Sequence, residues 1–341
     1  MVFDLSSGSP LPSAARLHPA SSELLAEFAD DVRQGLRNQP KFLRAKYFYD
    51  ELGSRLFEEI TRLPEYYPTR TEASILREYA GDIRDTLDGD FSLVELGSGS
   101  SAKTTILLEN IMEEQRRLHY LPIDISPTIL DETARKLDAR YPRLTTIPIA
   151  SEYREGLREA SRLAVHAPEV AERKLVLFLG SSIGNFEPAE AETFLQGVRD
   201  GMGTDDALLI GFDLQKDVGI LEAAYNDATG VTARFNLNIL KRINRELGGN
   251  FNLQAFRHRA FYNEAAARIE MHLLSRTRQE VAIRRLEETF GFEEGESIHT
   301  ESSFKYTIPL IQQIADRASF QVRKVFTDGK NWFALALFFP A

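Results

Sequence analysis

The sequence predicts an α/β fold, a mostly parallel sheet covered by helices, with a second, smaller α+β region. Three observations predict it. Between residues 91 and 212, five short apolar runs alternate with four helical stretches. Residues 215–304 lose that alternation and carry long helices followed by period-two segments. The chain closes with two apolar runs joined by Thr327-Asp-Gly-Lys330, a turn suited to an antiparallel hairpin.

Residues 1–20 are rich in Ser, Pro and Ala, lack periodicity and are expected to form a mobile arm. From Ser22 to about Gln34, Leu24, Leu25, Phe28 and Val32 fall on one helical face. The aromatic stretch Lys46–Ser54 leads into a helix carrying Leu56, Phe57 and Ile60. That helix stops before Leu63-Pro-Glu-Tyr-Tyr-Pro68, since proline cannot continue it. A further helix is expected from about Glu72 to Thr86. The runs at Phe91–Leu96, His119–Ile125, Thr145–Ile149, Lys174–Leu179 and Ala207–Phe212 read as buried strands. Continuous apolar strands belong to a parallel sheet covered on both faces. Lys103–Arg117, Pro127–Arg140, Tyr153–His166 and Pro188–Gly201 read as the helices between them. Val218–Thr229 and Val231–Leu247 look helical, and Gly248-Gly-Asn250 stops the second. Arg268–Leu273 alternates with period two, so Ile269, Met271 and Leu273 share a face. Ser297–Lys305 is a further strand, Ile308–Ala318 a helix, and Phe320–Phe326 with Trp332–Phe339 the hairpin. The main sheet therefore counts seven strands.

Composition narrows the function. The chain has 341 residues, 43% hydrophobic and 27% charged, inside the ordinary globular range. No apolar run reaches the roughly 18 residues of a membrane span, and no signal peptide is visible, so a soluble cytoplasmic protein is expected. Cysteine is absent, which excludes thiolate catalysis and Cys-ligated metals. A net charge of −10 lacks the electrostatic footprint of a nucleic-acid binder. The six histidines, His18, His119, His166, His258, His272 and His299, show no HExxH or HxxxH spacing, so no metal site is expected.

Glu95-Leu-Gly-Ser-Gly-Ser-Ser101 follows a strand and opens a helix. Glycines there let the backbone turn sharply and approach a ligand closely. Two glycines alone also suit an ordinary tight turn. Asp124 ends the next strand, 27 residues beyond Gly97, where an acid can accept both hydroxyls of an adenosine ribose. The same Asp124 could instead cap the helix that begins at Pro127. A rival reading takes Gly97–Thr104 as a phosphate-binding loop, but Ala102 stands where that loop needs its second glycine. On that reading the chain is a non-catalytic nucleotide-binding module.

The glycine loop, the acid after the second strand and the terminal hairpin resemble class I S-adenosylmethionine-dependent methyltransferases. Ser101 replaces the third glycine of their usual pattern. Tyr47–Ser54, Leu63–Glu72, Leu96–Thr104, Gly180–Asn185, Tyr225-Asn-Asp227 and Arg268–Met271 resemble, in order, segments of the L-histidine Nα-methyltransferases of ergothioneine biosynthesis. The resemblance runs from about residue 24 to the end. It implies a class I Rossmann-like domain at 72–214 and 305–341, and a smaller α+β substrate domain at 21–71 and 215–304. It implies trimethylation of the α-amino group of L-histidine to hercynine, with S-adenosylmethionine as donor, no metal, no membrane or nucleic-acid partner, and a monomer. Tyr67, Asn185 and Tyr225 would hold the amino-acid end. Met271, Glu301 and Ser303 would line the imidazole end. Gly97, Lys103, Asp124, Glu152 and Tyr153 would contact the donor. A nearby variant would methylate another aromatic amino acid.

Taken without the resemblance, these residues have plainer roles. Met271 reads as core, since Met fills gaps. Glu301-Ser-Ser303 reads as a solvated strand edge. Tyr66 and Tyr67 could cap the core between two prolines, Asn185 could be a turn residue, and Lys103 a first-turn surface lysine. Glu301 and Ser303 are two apart, so an extended chain turns both to one side. A carboxylate and a hydroxyl there suit the two nitrogens of an imidazole.

Overall fold

The computed structural model describes residues 15–16, 21–87, 89–166 and 170–341. The expected arm at 1–20 lies outside the described residues except for Ala15–Arg16, which pairs in parallel with Ile149–Ala150.

All seven expected strands are present in one sheet. Its order is Ala15–Arg16, Ile149–Ala150, Leu118–Asp124, Ser92–Leu96, Lys174–Phe178, Ala207–Asp213, Phe333–Pro340 and Phe320–Thr327, with Leu144–Thr146 also beside Leu118–Asp124. It counts nine rather than seven for two reasons. Ala15–Arg16 adds an edge, and the run Thr145–Ile149 is two short strands, Leu144–Thr146 and Ile149–Ala150. Pro148 lies between them and has no N–H to continue a ladder. The last two strands are antiparallel to their neighbours and to each other. One face of this sheet packs Val94, Val176 and Phe178 against the helices Tyr153–His166 and Pro188–Asp200. The other packs Leu93, Leu175 and Leu177 against Tyr67–Arg84 and Thr104–Glu114. Both faces are therefore covered, as the continuous apolar strands required.

A second sheet has the order Lys41–Phe42, Ser297–Phe304, Arg268–Ser275 and Phe256–Asn263, beside a hairpin of Gln279–Ile283 and Glu288–Phe292. Its core is separate. Phe28 and Val32 of the first helix, Phe48 and Ile60, Phe235 and Ile239 of helix Val231–Leu247, and Ile269, Met271 and Leu273 form one cluster. The period-two face of Arg268–Ser275 is buried as expected. Phe256–Asn263 escapes a sequence reading because Arg257, His258 and Arg259 interrupt its apolar pattern. The expected helix Val218–Thr229 is only Val218–Ala223. Asp227 lies beyond its end and serves the next helix: its carboxylate accepts from the N–H groups of Val231 and Thr232, both at 2.8 Å, and so anchors that helix.

The joint between the sheets is specified locally. The Arg70 guanidinium donates to the carbonyls of Leu63 and Pro64, both at 2.6 Å, and of Tyr66 at 3.1 Å. It clamps the proline-rich turn, and helix Tyr67–Arg84 starts with Pro68 in its first turn, where a missing N–H costs nothing. Glu72 on that helix is fully buried. Its carboxylate accepts from the Gly180 N–H at 2.8 Å and pairs with the Lys103 ammonium. Three sequence motifs thus meet at one carboxylate.

Candidate active site

The glycine loop lies at the carboxyl ends of the parallel strands, the place where such sheets bind ligands. Gly97 and Gly99 have φ of 72° and 49°, and a Cβ on Gly97 would stand 3.1 Å from the Tyr153 hydroxyl. Ser101, in place of a third glycine, also has positive φ, 51°. Its hydroxyl is tied to that of Tyr120 at 2.6 Å. Tyr120 in turn donates to Glu95, which also accepts from Thr104 at 2.7 Å. Burial pushes the Glu95 carboxyl up to about 7 despite these donors.

Asp124 ends its strand and does not cap the following helix, whose N-cap is Ser126. One oxygen accepts from the Ser126 N–H at 2.9 Å and the other from the Gly99 N–H at 3.0 Å. It therefore holds the glycine loop as well as facing the cleft. Burial raises its carboxyl above the ordinary range, and the backbone donors pull it back. The Ser98 hydroxyl beside it is buried without a partner. Burial pushes Tyr153 up to about 12.

A cleft of ≈ 2350 Å³ runs from this loop to the second sheet. Gly97, Lys103, Asp124, Glu152, Tyr153, Asn185 and Glu301 all line it. A small cavity of ≈ 40 Å³ adjoins it and shares Tyr66, Asn185 and Glu301 with it; Tyr225 and Ser303 lie deeper. The exposed Asn185 ends the short turn Ser182–Asn185 after Gly180. Two of the expected residues line neither space. Met271 is 1% exposed and sits in the core behind Glu301, its cross-strand partner. Tyr67 turns away: its hydroxyl donates to Asp213 at 2.7 Å and accepts from Lys216 at 2.7 Å. Tyr66 takes the cavity position beside Tyr225, with Tyr49 and Phe57. The signal for Tyr66 was local: it is the last residue before the helix, so the two tyrosines point in different directions.

Glu301 and Ser303 face the cavity together because they stand two apart on one strand, and a β-bulge sits just before them. The pairing of Ser297–Phe304 with Arg268–Ser275 slips between Met271 and His272, so Met271 faces Glu301 but His272 faces His299. Thr300 is the extra residue, and its hydroxyl donates to the Met271 carbonyl at 3.0 Å. Opposed residues share a face, so Glu301 and Ser303 stand with Met271 and Ile269, while His299 and Ser302 stand with His272 and Glu270. Burial pushes the Glu301 carboxyl up to about 7, against the pull of the Lys305 charge. Tyr49, Tyr66 and Tyr225 are held well above the ordinary phenol range by burial. They remain neutral.

Beneath the cavity lies a buried charged group that the sequence did not reveal. Asp213 sits between Lys216 at 2.5 Å and Lys305 at 2.9 Å, all three under 5% exposed at the side chain. Burial would raise the Asp213 carboxyl, but the two ammonium groups bring it below its usual value. Lys305 also donates to Ser303 at 2.8 Å and Tyr225 at 3.2 Å.

On the opposite face of the bulged strand, Glu270, His272 and His299 bring candidate metal-ligand atoms within 4.8 Å of one another. Spacing rules missed this group because a cross-strand pairing assembles it. Its carboxylate is already engaged: Arg268 and Asn263 donate to one oxygen at 2.9 Å, and His272 approaches the other at 3.0 Å. No helix among the described residues is long and apolar enough to cross a membrane.

The chain is 42% identical over 307 residues to a histidine N-alpha-methyltransferase of Mycolicibacterium smegmatis, covering 90% of this chain and 93% of that protein. It is 40% identical, with the same coverage, to the histidine N-alpha-methyltransferase of Mycobacterium tuberculosis. A 4-dimethylallyltryptophan N-methyltransferase of Claviceps purpurea is 27% identical over 190 residues, 55% of this chain and 54% of that protein. A family model described as "Histidine-specific methyltransferase, SAM-dependent" matches residues 28–340. A match of that span, with relatives alike over nearly their whole length, means that this chain belongs to the histidine-specific, S-adenosylmethionine-dependent methyltransferases.

Proposed function

We propose that the protein transfers three methyl groups to the α-nitrogen of L-histidine, making hercynine, the first step towards ergothioneine. The observation that carries this reading is the pair of a half-buried Glu301 and a buried Ser303 in a cavity that opens onto the glycine-loop cleft. A phenyl ring there would leave the Glu301 carboxyl without a ring partner, at about 1–3 kcal/mol. The phosphate-loop alternative falls with the family assignment.

S-adenosylmethionine, when bound, supplies a methyl group already activated on a sulfonium. The chain's own task is then to bind, orient and exclude water. Asp124 is suited to the ribose hydroxyls, and the backbone of Gly97 and Gly99 to close approach of the donor. The unpartnered Ser98 hydroxyl supports a polar ligand at this loop. Asn185, at the junction of cleft and cavity, is suited to the amino-acid end of the substrate. Tyr225 and Tyr66 stay neutral and orient the amine without competing as bases. Glu301 accepts a ring N–H, and Ser303 meets the other ring nitrogen. The division into domains at 72–214 with 305–341 and 21–71 with 215–304 is supported by the separate core of the second sheet.

The nucleophile is a neutral amine. Mono- and dimethylated products keep a lone pair once deprotonated, and the quaternary product has none, so the chemistry stops at three. The test is a mass-spectrometric time course with fragmentation, using histidine and excess donor. Three methyl groups on the α-nitrogen are expected. Methyl groups on the imidazole, or arrest after one, would overturn the orientation.

A further inference from the structure

We infer that Lys305 is a positioning residue that makes the Ser303–Tyr225 pair a hydrogen-bond donor, so that the cavity selects a ring nitrogen bearing a lone pair. This rests on the reading of the cavity as the imidazole subsite.

A lysine ammonium has three donors and no acceptor. Lys305 is fully buried and spends them on Asp213 at 2.9 Å, Ser303 at 2.8 Å and Tyr225 at 3.2 Å. Ser303 and Tyr225 lie 2.8 Å apart, and only one hydrogen fits on the line between them. Both oxygens already accept from Lys305. Two hydroxyl hydrogens therefore serve one internal bond, and the second has to point elsewhere. Both hydroxyl groups border the cavity. Whichever way the internal bond runs, the pair offers the cavity one donated hydrogen. Glu301 supplies an acceptor on the same strand face. One donor beside one acceptor matches a neutral imidazole in a single tautomer, with its N–H on Glu301. A ring lacking the lone-pair nitrogen strands the donated hydrogen. Asp213, flanked by Tyr67 and Lys216, holds Lys305 in place.

The test is a double-mutant cycle on the full-length enzyme, with Lys305→Met, Ser303→Ala and the double variant. Calorimetry with S-adenosylhomocysteine reports whether the donor half is intact. Each single change is expected to raise the histidine KM at least tenfold, with kcat moving less than threefold and S-adenosylhomocysteine affinity unchanged. The double variant is expected to be no worse than the weaker single variant, because Lys305 acts through Ser303. Losses that multiply in the double variant, or a fall in S-adenosylhomocysteine affinity with Lys305→Met in a folded protein, would overturn the inference. If Lys305→Met does not fold, Lys305→Leu, which likewise has no donor, takes its place in the cycle under the same criteria. A wild-type enzyme inert towards histidine would instead sink the substrate reading, an outcome read before any variant is made.

Discussion

Glu301 is a carboxyl group walled in by three tyrosines, and its ionisation is linked to folding. Burial raises it from 4.5 to about 7. The unfolded chain releases this proton near pH 4.5, the folded chain only near 7. Stability from this group is therefore complete below about pH 4.5, falls as pH rises through that window, and is flat above it. At roughly 1.4 kcal/mol per pH unit the window is worth about 3 kcal/mol. Glu301→Gln removes the titration. Its urea-unfolding stability relative to wild type should be about 2–3 kcal/mol more favourable at pH 8 than at pH 5. A pH-independent difference would mean a solvated carboxylate. Asp124 makes a second residue-scale prediction. Asp124→Ala should weaken S-adenosylhomocysteine binding about tenfold or more, the loss of a charge-assisted hydrogen bond. Because Asp124 also holds Gly99, amide exchange in the glycine loop should quicken in the same variant. Unchanged affinity by calorimetry would remove Asp124 from the donor site.

At the scale of elements, two devices build the site. The first is the bulge at Thr300. Removing Thr300 should restore plain alternation, turning one side of the bulge to the wrong face. Histidine turnover should fall more than a hundredfold while S-adenosylhomocysteine still binds; retained turnover would mean that the bulge is dispensable. The second is Glu72, which joins helix Tyr67–Arg84 to the Gly180 turn and to Lys103. Glu72→Gln leaves Lys103 without its charge partner. Since Lys103 keeps 22% exposure at its side chain, the cost should be about 1–3 kcal/mol in urea unfolding, less than for a fully buried pair. A cost near zero would mean that the Gly180 amide alone holds the helix. Neither device was legible in the sequence. Period two correctly placed Glu301 beside Ser303, but one inserted residue moves His299 off their face, and nothing in the string of letters announces it. Tyr66 and Tyr67 differ only in standing before and within a helix whose start is set by Pro68 and the Arg70 clamp.

At the scale of the molecule, the strand–helix alternation was legible because parallel strands buried on both faces are continuous apolar runs, and the terminal hairpin because Asp-Gly marks its turn. The second sheet was half legible. Arg268–Ser275 alternates cleanly, whereas Phe256–Asn263 carries Arg257, His258 and Arg259 at its start. Buried charge was the least legible of all, since Asp213 and Lys305 are 92 residues apart and each looks like a surface residue in isolation. The same chain order has a further consequence, for biosynthesis. Lys41–Phe42 closes the second sheet by pairing with Ile298–His299, and the Lys41 ammonium, 5% exposed, pairs with Glu296, 255 residues later. At roughly 5–20 residues per second on the ribosome, that partner emerges some 13–50 s after Lys41. Through that interval the nascent chain carries its first helices with their apolar faces uncovered, and the part of the molecule made earliest is the part that must wait longest for its neighbours.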